Sequence, residues 1–251
     1  MPAARPYLSV IIPMYNEEQR LAATVRAVVA YLEEHRPSFE VLLVDDGSTD
    51  GSVALAHSLA AELPNLAVIT HPRNLGKGAS VQDGLREAQG EYLLYMDADH
   101  STNIAELRQL PRLIARGADV MVSSRYVPGS RITSKQPWQR VVVSRVANFV
   151  IRLFAVPGIH DTQNGFKILR GTAARDILPH LLLRRWAFDV ELLYVARRLG
   201  YRVVEFPVTW HHTPGSKLNI GRDLRNTVGE FWKFIWNRLR GRYPKRLRAR
   251  D

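Results

Sequence analysis

The sequence predicts an α/β fold built on a mainly parallel central sheet flanked by helices. Apolar runs typical of buried strands alternate with segments of helical periodicity, and this alternation indicates βαβ units. A chain of 251 residues with 46% hydrophobic content is long enough to bury one such core. The predicted strands span residues 7–13, 40–44, 66–70, 92–97 and 119–123. The predicted helices span residues 20–34, 52–63, 79–89 and 104–115.

Polar and acidic residues follow three of the predicted strands. They are residues 13–17 after the first strand, Asp45 and Asp46 after the second, and Asp97 and Asp99 after the fourth. In open α/β sheets, ligands bind beyond the carboxyl ends of the strands. Two carboxylates at the tip of a buried strand are costly to desolvate unless a cation compensates them, and alternate strand residues share a face. The pattern therefore predicts a ligand site where Asp97 and Asp99 meet one divalent cation.

Charge and cysteine content narrow the classes of partner and site. The absence of cysteine excludes disulfides and thiolate metal sites, so any metal must bind oxygen or imidazole. The formal net charge of +11 favours a polyanionic partner, which is nucleic acid, an anionic membrane surface or a phosphorylated substrate. The charge is unevenly placed, because residues 120–160 contain no Asp or Glu and the chain is almost purely basic from Lys233 onward.

Two segments, 138–156 and 223–239, combine apolar, aromatic and basic residues. Spanning a bilayer needs about 20 largely uncharged residues, so both segments are too charged to cross it. They suit the interface plane, where arginine stems extend towards headgroups and tryptophan lies beside basic residues. For the first segment, an ordinary core helix with a basic edge is an equal alternative. Since the N-terminal residues lack the apolar region of a signal peptide, we expect a cytoplasmic protein, peripheral on the inner face of the membrane.

Four motifs occur in a specific order along the first half of the chain, at residues 9–17, 44–50, 74–78 and 97–99. Together they resemble the inverting, nucleotide-sugar-dependent glycosyltransferases of family 2, which have the GT-A fold. Later motifs resemble the polyprenyl-phosphate branch of that family, most closely the dolichyl-phosphate β-glucosyltransferases, with the dolichyl-phosphate mannose synthases as near relatives. The resemblance covers nearly the whole chain. These later motifs lie at residues 160–167, 185–192 and 210–217.

The resemblance divides the chain into two expected regions. Residues 1–220 form a GT-A catalytic domain that includes an acceptor loop, 127–137, and an interface helix, 138–156. Proline and glycine residues favour a loop in the first of these two segments. Residues 221–251 form a basic amphipathic C-terminal helix and tail.

The resemblance implies roles for residues on the nucleotide-sugar side of the site. Pro13, Tyr15 and Glu17 match the family's nucleotide-binding loop, and Asp46 matches a residue that holds the base or ribose. Taken alone, residues 45–48 are typical of a turn with a helix cap. Their place after a buried strand favours the binding role.

The resemblance also implies a metal-dependent donor site around Asp97 and Asp99. The two phosphates of a nucleotide sugar must be neutralised before the sugar leaves, and Mg²⁺ or Mn²⁺ held by carboxylates does this. We expect Asp99 to ligate the metal directly and Asp97 to contact the metal or the donor sugar. Lys77, in the glycine-rich run 74–78, is a candidate phosphate contact. Ser101 stands where the mannose synthases have a metal-holding glutamine, so water is expected to complete the shell.

Asp189, on an apolar segment of helical pattern, is the third predicted catalytic residue, after the two aspartates of the metal site. We expect Asp189 or Glu191 to bind a sugar hydroxyl or to orient the acceptor. Unpaired acids are costly in such a segment. An ion pair with Arg184 or Arg185 is therefore the structural alternative.

The acceptor implied by the resemblance is a lipid phosphate. A phosphate monoester is largely ionised at pH 7 and can attack the anomeric carbon without strong general-base help. It needs arginine or lysine to position it and to reduce repulsion from the donor diphosphate. General surface charge is the alternative for each candidate. The candidates are Arg125, Arg131, Lys135 and Lys217, with the first two favoured by the resemblance.

The expected reaction is transfer of a hexose, glucose from UDP-glucose, to a polyprenyl phosphate with inversion. GDP-mannose as the donor and a non-lipid acceptor are the alternatives. A nucleic-acid-binding module is disfavoured, because the strand-end carboxylates would repel a phosphate backbone. A nicotinamide-dependent dehydrogenase is disfavoured as well, because no G-x-G-x-x-G follows the first strand.

Overall fold

The computed structural model describes residues 5–35, 38–133, 155–211 and 220–245, with side chains from 229 onward in the last range. The strands are β1 (Leu8–Met14), β2 (Phe39–Asp45), β3 (Leu66–Thr70), β4 (Tyr92–Met96), β5 (Val120–Ser124), β6 (Arg131–Ile132), β7 (Phe166–Arg170), β8 (Val203–Pro207) and β9 (Thr209–Trp210). The helices are α1 (Leu21–His35), α2 (Ser52–Glu62), α3 (Lys77–Glu87), α4 (Leu110–Ala115), α5 (Gly171–Ile177), α6 (Phe188–Arg198) and α7 (Ile220–Leu239). Two 3₁₀ turns, Ile104–Gln109 and Leu178–His180, complete the described elements.

The predicted α/β fold with a mainly parallel sheet is confirmed. Within the described ranges, the main sheet has seven strands in the order β3-β2-β1-β4-β7-β5-β8. Strand β7 runs antiparallel to both of its neighbours, β4 and β5, and the other pairs are parallel. The start of β7 therefore lies at the same edge of the sheet as the carboxyl end of β4. A second sheet pairs the short strands β6 and β9 in parallel.

The central sheet is buried on both faces, which explains why its strands are continuous apolar runs. Alternate residues of β1 enter two different cores. Val10 and Ile12 pack in a cluster with Val25 of α1, whereas Ile11 packs in a cluster with Val81 of α3. The second cluster also contains residues of α5 and α6 and Phe234 of α7. The sheet edge that carries the polar strand ends is thus held from both sides.

The predicted helix at 104–115 is wrong in one respect, because it is divided into a 3₁₀ turn and a short α-helix. Pro111 stands at the start of α4, where it has no N–H to continue an α-helical hydrogen bond from the preceding turn. Asn103 caps the 3₁₀ turn, since its side chain accepts a hydrogen bond from Ala105 N. Glu106 does not complete a capping box, and its carboxylate accepts from Gln109 Nε2 and Thr209 N instead.

The two predicted interface segments are only partly covered by the described residues. Of the segment 138–156, residues 138–154 lie outside the described ranges, and Ala155 and Val156 are buried in the core. The C-terminal segment forms α7. In the part of the chain that the structure describes, no helix combines the length and the apolar character needed to cross a membrane. The boundary expected at residue 220 stays a prediction.

Candidate active site

Asp97 and Asp99 follow β4 at the carboxyl edge of the sheet, as the sequence predicts. Asp97 N donates to Gly165 O at 2.9 Å, and Asp99 Oδ1 accepts from Ser101 N at 2.9 Å. A Cβ atom placed on Gly165 would overlap the carboxylate of Asp97. The residue before β7 therefore has to be glycine for Asp97 to keep this orientation. Sequence analysis missed this role of Gly165, because only the pairing of β4 with β7 creates the contact.

Lys77, the first residue of α3, reaches the same carboxylate. Its Nζ lies 2.5 Å from Asp97 Oδ1 and 5.6 Å from the centre of the Trp186 ring. Burial would lower the pKa of Lys77, but the negative charges of Asp97, Asp189 and Asp99 outweigh burial and raise it. The pKa of Asp97 is raised mainly by burial, against the opposing effect of Lys77. The Lys77 cation thus compensates the negative charge of the Asp97 carboxylate.

The donor atoms around Asp97 fit a divalent metal that is shared with a ligand. Two aspartates supply hard oxygen donors from one turn of the chain, which suits Mg²⁺ or Mn²⁺. Within the described residues, no group of three or more acidic or imidazole side chains could hold a metal by itself. Mg²⁺ commonly binds through one or two carboxylates together with the phosphates of a substrate. The site therefore fits a metal completed by phosphate and water.

Asp189 lies at the start of α6, buried behind the two strand-end aspartates. Its Oδ1 accepts from Lys167 Nζ at 2.5 Å and from the Tyr95 hydroxyl. Lys167 is fully buried and also donates to Asn164 O at 2.7 Å. Burial lowers the pKa of Lys167 and raises that of Tyr95 well above its ordinary value. Asp189 is thus the acceptor of a buried network adjacent to Lys77 and Asp97.

The alternative of an ion pair between Asp189 and Arg184 or Arg185 is wrong, because Asp189 pairs with Lys167 from β7. A strand-to-helix contact between residues 22 positions apart has no local signal in the sequence. The carboxylate of Glu191 has a structural role and does not face the site. Its oxygens accept from Leu182 N, Leu183 N and the Tyr243 hydroxyl.

A cleft of about 560 Å³ opens at the ends of β1 and β2. Tyr15 lies at its mouth with 42% of its surface exposed. Pro13 and Glu17 are not among the residues that line it. Pro13 is buried inside β1 opposite Val44, and Glu17 pairs with Arg20 at 2.6 Å. The cleft is lined by Tyr15, Asp45, Gly47, Ser48, Thr49, Val53, His57, Thr70, His71, Pro72, Arg73 and Asn74.

The two aspartates after β2 have different surroundings. Asp46 accepts from Leu75 N and Gly76 N, and it lies 3.3 Å from His71 Nδ1. Asp45 lines the cleft, and its buried Oδ1 has no hydrogen-bond partner. A buried oxygen of this kind is unusual unless a ligand or water satisfies it. Asp45, which sequence analysis passed over, is therefore better placed than Asp46 to bind a ligand.

The glycines at 76 and 78 allow a close backbone approach, as predicted, and the approaching segment is residues 184–188. A Cβ atom on Gly76, which has φ of 102°, would lie 2.6 Å from Arg185 Cγ. A Cβ atom on Gly78 would lie 2.7 Å from Arg185 O. The glycines thus let the loop before α6 cover the start of α3.

The predicted acceptor residues are in unlike environments. The guanidinium of Arg125 donates two hydrogen bonds, of 2.7 and 2.9 Å, to the fully buried Asp161, and it lies over the rings of Tyr126 and Trp210. Burial would lower the pKa of Arg125, but the negative charge of Asp161 and its hydrogen bonds together outweigh burial, so the pKa is raised. Arg131 is exposed on β6. Lys135 and Lys217 lie outside the described residues.

Asn164 is a further polar residue at this edge that sequence analysis did not single out as a site residue. It is 4% exposed, and its Oδ1 lies 3.4 Å from Thr102 Oγ1. Its Nδ2 is buried without a hydrogen-bond partner. Turning the amide over exchanges the two atoms and leaves one of them unpartnered. Asn164 directly precedes the glycine that accommodates Asp97.

Comparison with known sequences places this site in a family. The model described as glycosyl transferase family 2 matches residues 9–178. The chain belongs to glycosyl transferase family 2 and is a glycosyltransferase. It is 37% identical over 237 residues to the dolichyl-phosphate beta-glucosyltransferase of Drosophila melanogaster, covering 86% of this chain and 73% of that protein. The resemblance predicted from the motifs is confirmed.

Comparison with solved structures confirms the predicted GT-A fold. Glucosyl-3-phosphoglycerate synthase from Mycobacterium tuberculosis, solved with Mn²⁺, UDP-glucose and phosphoglyceric acid, superposes with a TM-score of 0.62 at 18% identity, covering 86% of this chain and 74% of that one. A mannosyltransferase from Pyrobaculum calidifontis, solved with GDP-mannose and Mn²⁺, superposes with a TM-score of 0.58 at 22% identity. The match covers 86% of this chain and spans 59% of the length of that structure.

Proposed function

We propose that this glycosyltransferase transfers glucose from UDP-glucose to a polyprenyl phosphate of the dolichyl type, with inversion at the anomeric carbon. The observation that carries the proposal is the sequence match over 86% of the chain to a protein that acts as a dolichyl-phosphate beta-glucosyltransferase. The geometry supports it, because one sheet edge brings together a cleft, two carboxylates and a lysine.

The cleft at the ends of β1 and β2 is the proposed nucleotide site. Tyr15 offers an exposed ring at its mouth, and Asp45 Oδ1 offers a buried acceptor without a protein partner. Uracil and guanine both carry a ring N–H that such an acceptor would satisfy. GDP-mannose is therefore the alternative donor, and the two donors have to be compared directly.

Asp97 and Asp99 are the proposed ligands of Mg²⁺ or Mn²⁺. When bound, the divalent metal neutralises the donor diphosphate and so stabilises it as a leaving group. Lys77 pairs with Asp97 and lies where it can turn to an incoming phosphate. Asp189 keeps its hydrogen bonds to Lys167 and Tyr95, which orient the wall behind these groups.

The proposed acceptor phosphate needs positive charge more than a base. Its second pKa is about 6, so it is largely ionised at pH 7 and needs no group to remove a proton. The exposed Arg131, together with Lys135 and Lys217, is the proposed positioning set. Arg125 has its charge balanced by Asp161, and we propose that it orders the wall beside Trp210. The proposed location is peripheral, on the cytoplasmic face of the membrane.

A transfer assay tests this proposal. Purified protein is incubated with polyprenyl phosphate in detergent, with Mg²⁺ or Mn²⁺ and with labelled UDP-glucose or GDP-mannose in parallel. We expect label in the organic phase from UDP-glucose, lost with chelator and in Asp99→Asn. Label from GDP-mannose alone would contradict the donor, and label that enters only water-soluble acceptors would contradict the lipid acceptor.

A further inference from the structure

Helix α7 carries an apolar stripe that faces away from the protein. Trp232, Trp236 and Leu239 are 66%, 55% and 76% exposed, more than any other large hydrophobic residue in the described part of the chain. They are spaced four and three residues apart and so share one side of the helix. Three adjacent apolar side chains exposed in this way indicate an interaction surface. We call these three residues the α7 stripe.

The opposite side of the same helix is anchored in the core. Glu230, Phe234 and Asn237 are 7%, 0% and 9% exposed. At about 100° per residue, this buried side is roughly 160° from the α7 stripe. Phe234 packs against the rings of Tyr194 and Tyr243, with centroids 5.2 and 5.7 Å away. The helix therefore holds the stripe outward on a fixed support.

The charge around the stripe is entirely basic. Lys233 and Arg238 are exposed on α7 and Arg240 is exposed directly after it, and residues 231–250 contain no Asp or Glu. The Arg240 guanidinium lies 4.4 Å from the centre of the Trp236 ring. Indole rings beside basic side chains are typical of the headgroup level of a membrane, whereas protein interfaces are depleted of lysine. We propose that the α7 stripe docks on an anionic lipid bilayer.

The buried side of α7 also supports the loop that covers α3. Glu230 Oε2 accepts from Ala187 N at 3.0 Å. The Tyr243 hydroxyl donates to Glu191 Oε1 at 2.6 Å, and Glu191 Oε2 in turn accepts from Leu183 N at 2.8 Å. Two carboxylates thus hold the loop of residues 181–187. One is Glu230 of α7, and the other is Glu191, which is itself bonded by Tyr243 from the segment after α7.

The same loop contacts the donor side of the site. Ala79 N donates to Arg184 O at 2.8 Å, and Gln82 Nε2 donates to Leu183 O at 2.6 Å. Trp186 lies beside Lys77, which pairs with Asp97. The docking helix is therefore connected to the donor site by an unbroken set of contacts. We infer that Glu230 is a positioning residue for this loop.

Vesicle co-sedimentation tests the docking surface. Wild-type protein is mixed with phosphatidylcholine vesicles with or without phosphatidylglycerol, in the absence of nucleotide sugar, metal and polyprenyl phosphate. We expect binding to the anionic vesicles, reduced at least about tenfold by the triple substitution Trp232→Gln/Trp236→Gln/Leu239→Gln. Arg112→Gln/Arg116→Gln, which removes two exposed charges on and beside α4, is the matched control and should bind like wild type.

Either of two results would overturn the docking proposal. The first is that the triple variant, shown to be folded by its circular dichroism and melting temperature, binds anionic vesicles as well as wild type does. The second is that sedimentation without lipid shows a dimer that the triple substitution dissociates, which would assign the stripe to a second copy of the chain. The docking proposal rests on the proposed function in one respect, which is that the acceptor is a lipid. Since the assay contains no substrates, failure of glucosyl transfer leaves its result unchanged.

Hydrogen exchange tests the positioning role of Glu230. Glu230→Ala removes the acceptor of Ala187 N, so exchange of that amide should accelerate about tenfold. We expect Glu230→Ala to raise the KM for UDP-glucose and to leave vesicle binding unchanged. In Glu230→Gln, whose amide oxygen can still accept, the exchange rate at Ala187 and the KM should return to the wild-type values. Wild-type exchange at Ala187 in Glu230→Ala would overturn the role.

Discussion

The donor and acceptor sides of the site are built in different ways. On the donor side, Asp45 and Asp97 project from the ends of the buried strands β2 and β4, and Lys77 projects from the start of α3, whose next residues are buried. On the acceptor side, the proposed phosphate contact Arg131 lies exposed on the two-residue strand β6. The difference indicates that donor binding depends on exact geometry, whereas acceptor binding depends on positive charge.

The largest expected effect is on the donor side, at Asp99, the proposed metal ligand. Asp99→Asn should lower kcat/KM by about a thousandfold, equivalent to about 4 kcal/mol, because an amide is a poor ligand for Mg²⁺. Steady-state kinetics with UDP-glucose measure it. Ser101→Ala is the control, since Ser101 donates to Asp99 through its backbone N–H, which this substitution retains. A loss of similar size in Ser101→Ala would show that the serine hydroxyl takes part in the site.

A backbone substitution without any change in charge should have the next largest effect. Gly165→Ala places a methyl group against the carboxylate of Asp97, so kcat/KM should fall about a hundredfold through misplacement of that group. Gly229→Ala is the matched control, because a Cβ atom there has no neighbour within 4 Å. Equal activity of the two variants would contradict the exact geometry assigned to the donor side.

The two aspartates after β2 should separate binding from stability. Asp45→Asn should raise the KM for UDP-glucose about tenfold, because the amide group replaces the unpartnered Oδ1 while the remaining oxygen still accepts from Gly47 N and Ser48 N. Asp46→Asn should instead destabilise the protein by about 1–3 kcal/mol, since Asp46 holds Leu75 N and Gly76 N. Donor titration and thermal unfolding of both variants measure this. The reverse pattern would return the base-binding role to Asp46.

The smallest expected effect is on the acceptor side. Arg131→Gln should raise the KM for polyprenyl phosphate only about threefold, because an exposed charge is screened by water and salt. The KM for UDP-glucose should not change, and the difference from wild type should shrink at high ionic strength. A hundredfold loss would show that this side also depends on exact geometry.

The sequence predicts the sheet edge at which Asp97, Asp99 and Lys77 lie, because the signals for that edge are local. Buried parallel strands are apolar runs, and the aspartates that follow them mark the carboxyl edge of the sheet. The glycines at 76 and 78 are local signals of the same kind. Asp45 and Asp46 are adjacent and chemically identical, so only their hydrogen bonds distinguish them.

Contacts between distant residues could not be predicted from one sequence. The partner of Asp189 is on β7, which sequence analysis did not identify as a strand and which runs antiparallel between parallel neighbours. Gly165 has a role only because β7 lies against β4. The buried face of α7 differs from its exposed face only through long-range contacts, those of Glu230 with the loop and of Phe234 with the core.

The central claim is that the donor diphosphate and the two aspartates after β4 share one divalent cation. Titration of Mn²⁺ followed by electron paramagnetic resonance tests it directly, with and without UDP. The account predicts that tight Mn²⁺ binding requires UDP, because two carboxylates alone do not complete the site, and that Asp99→Asn abolishes it. Tight binding without nucleotide, or binding unchanged in Asp99→Asn, would contradict the claim.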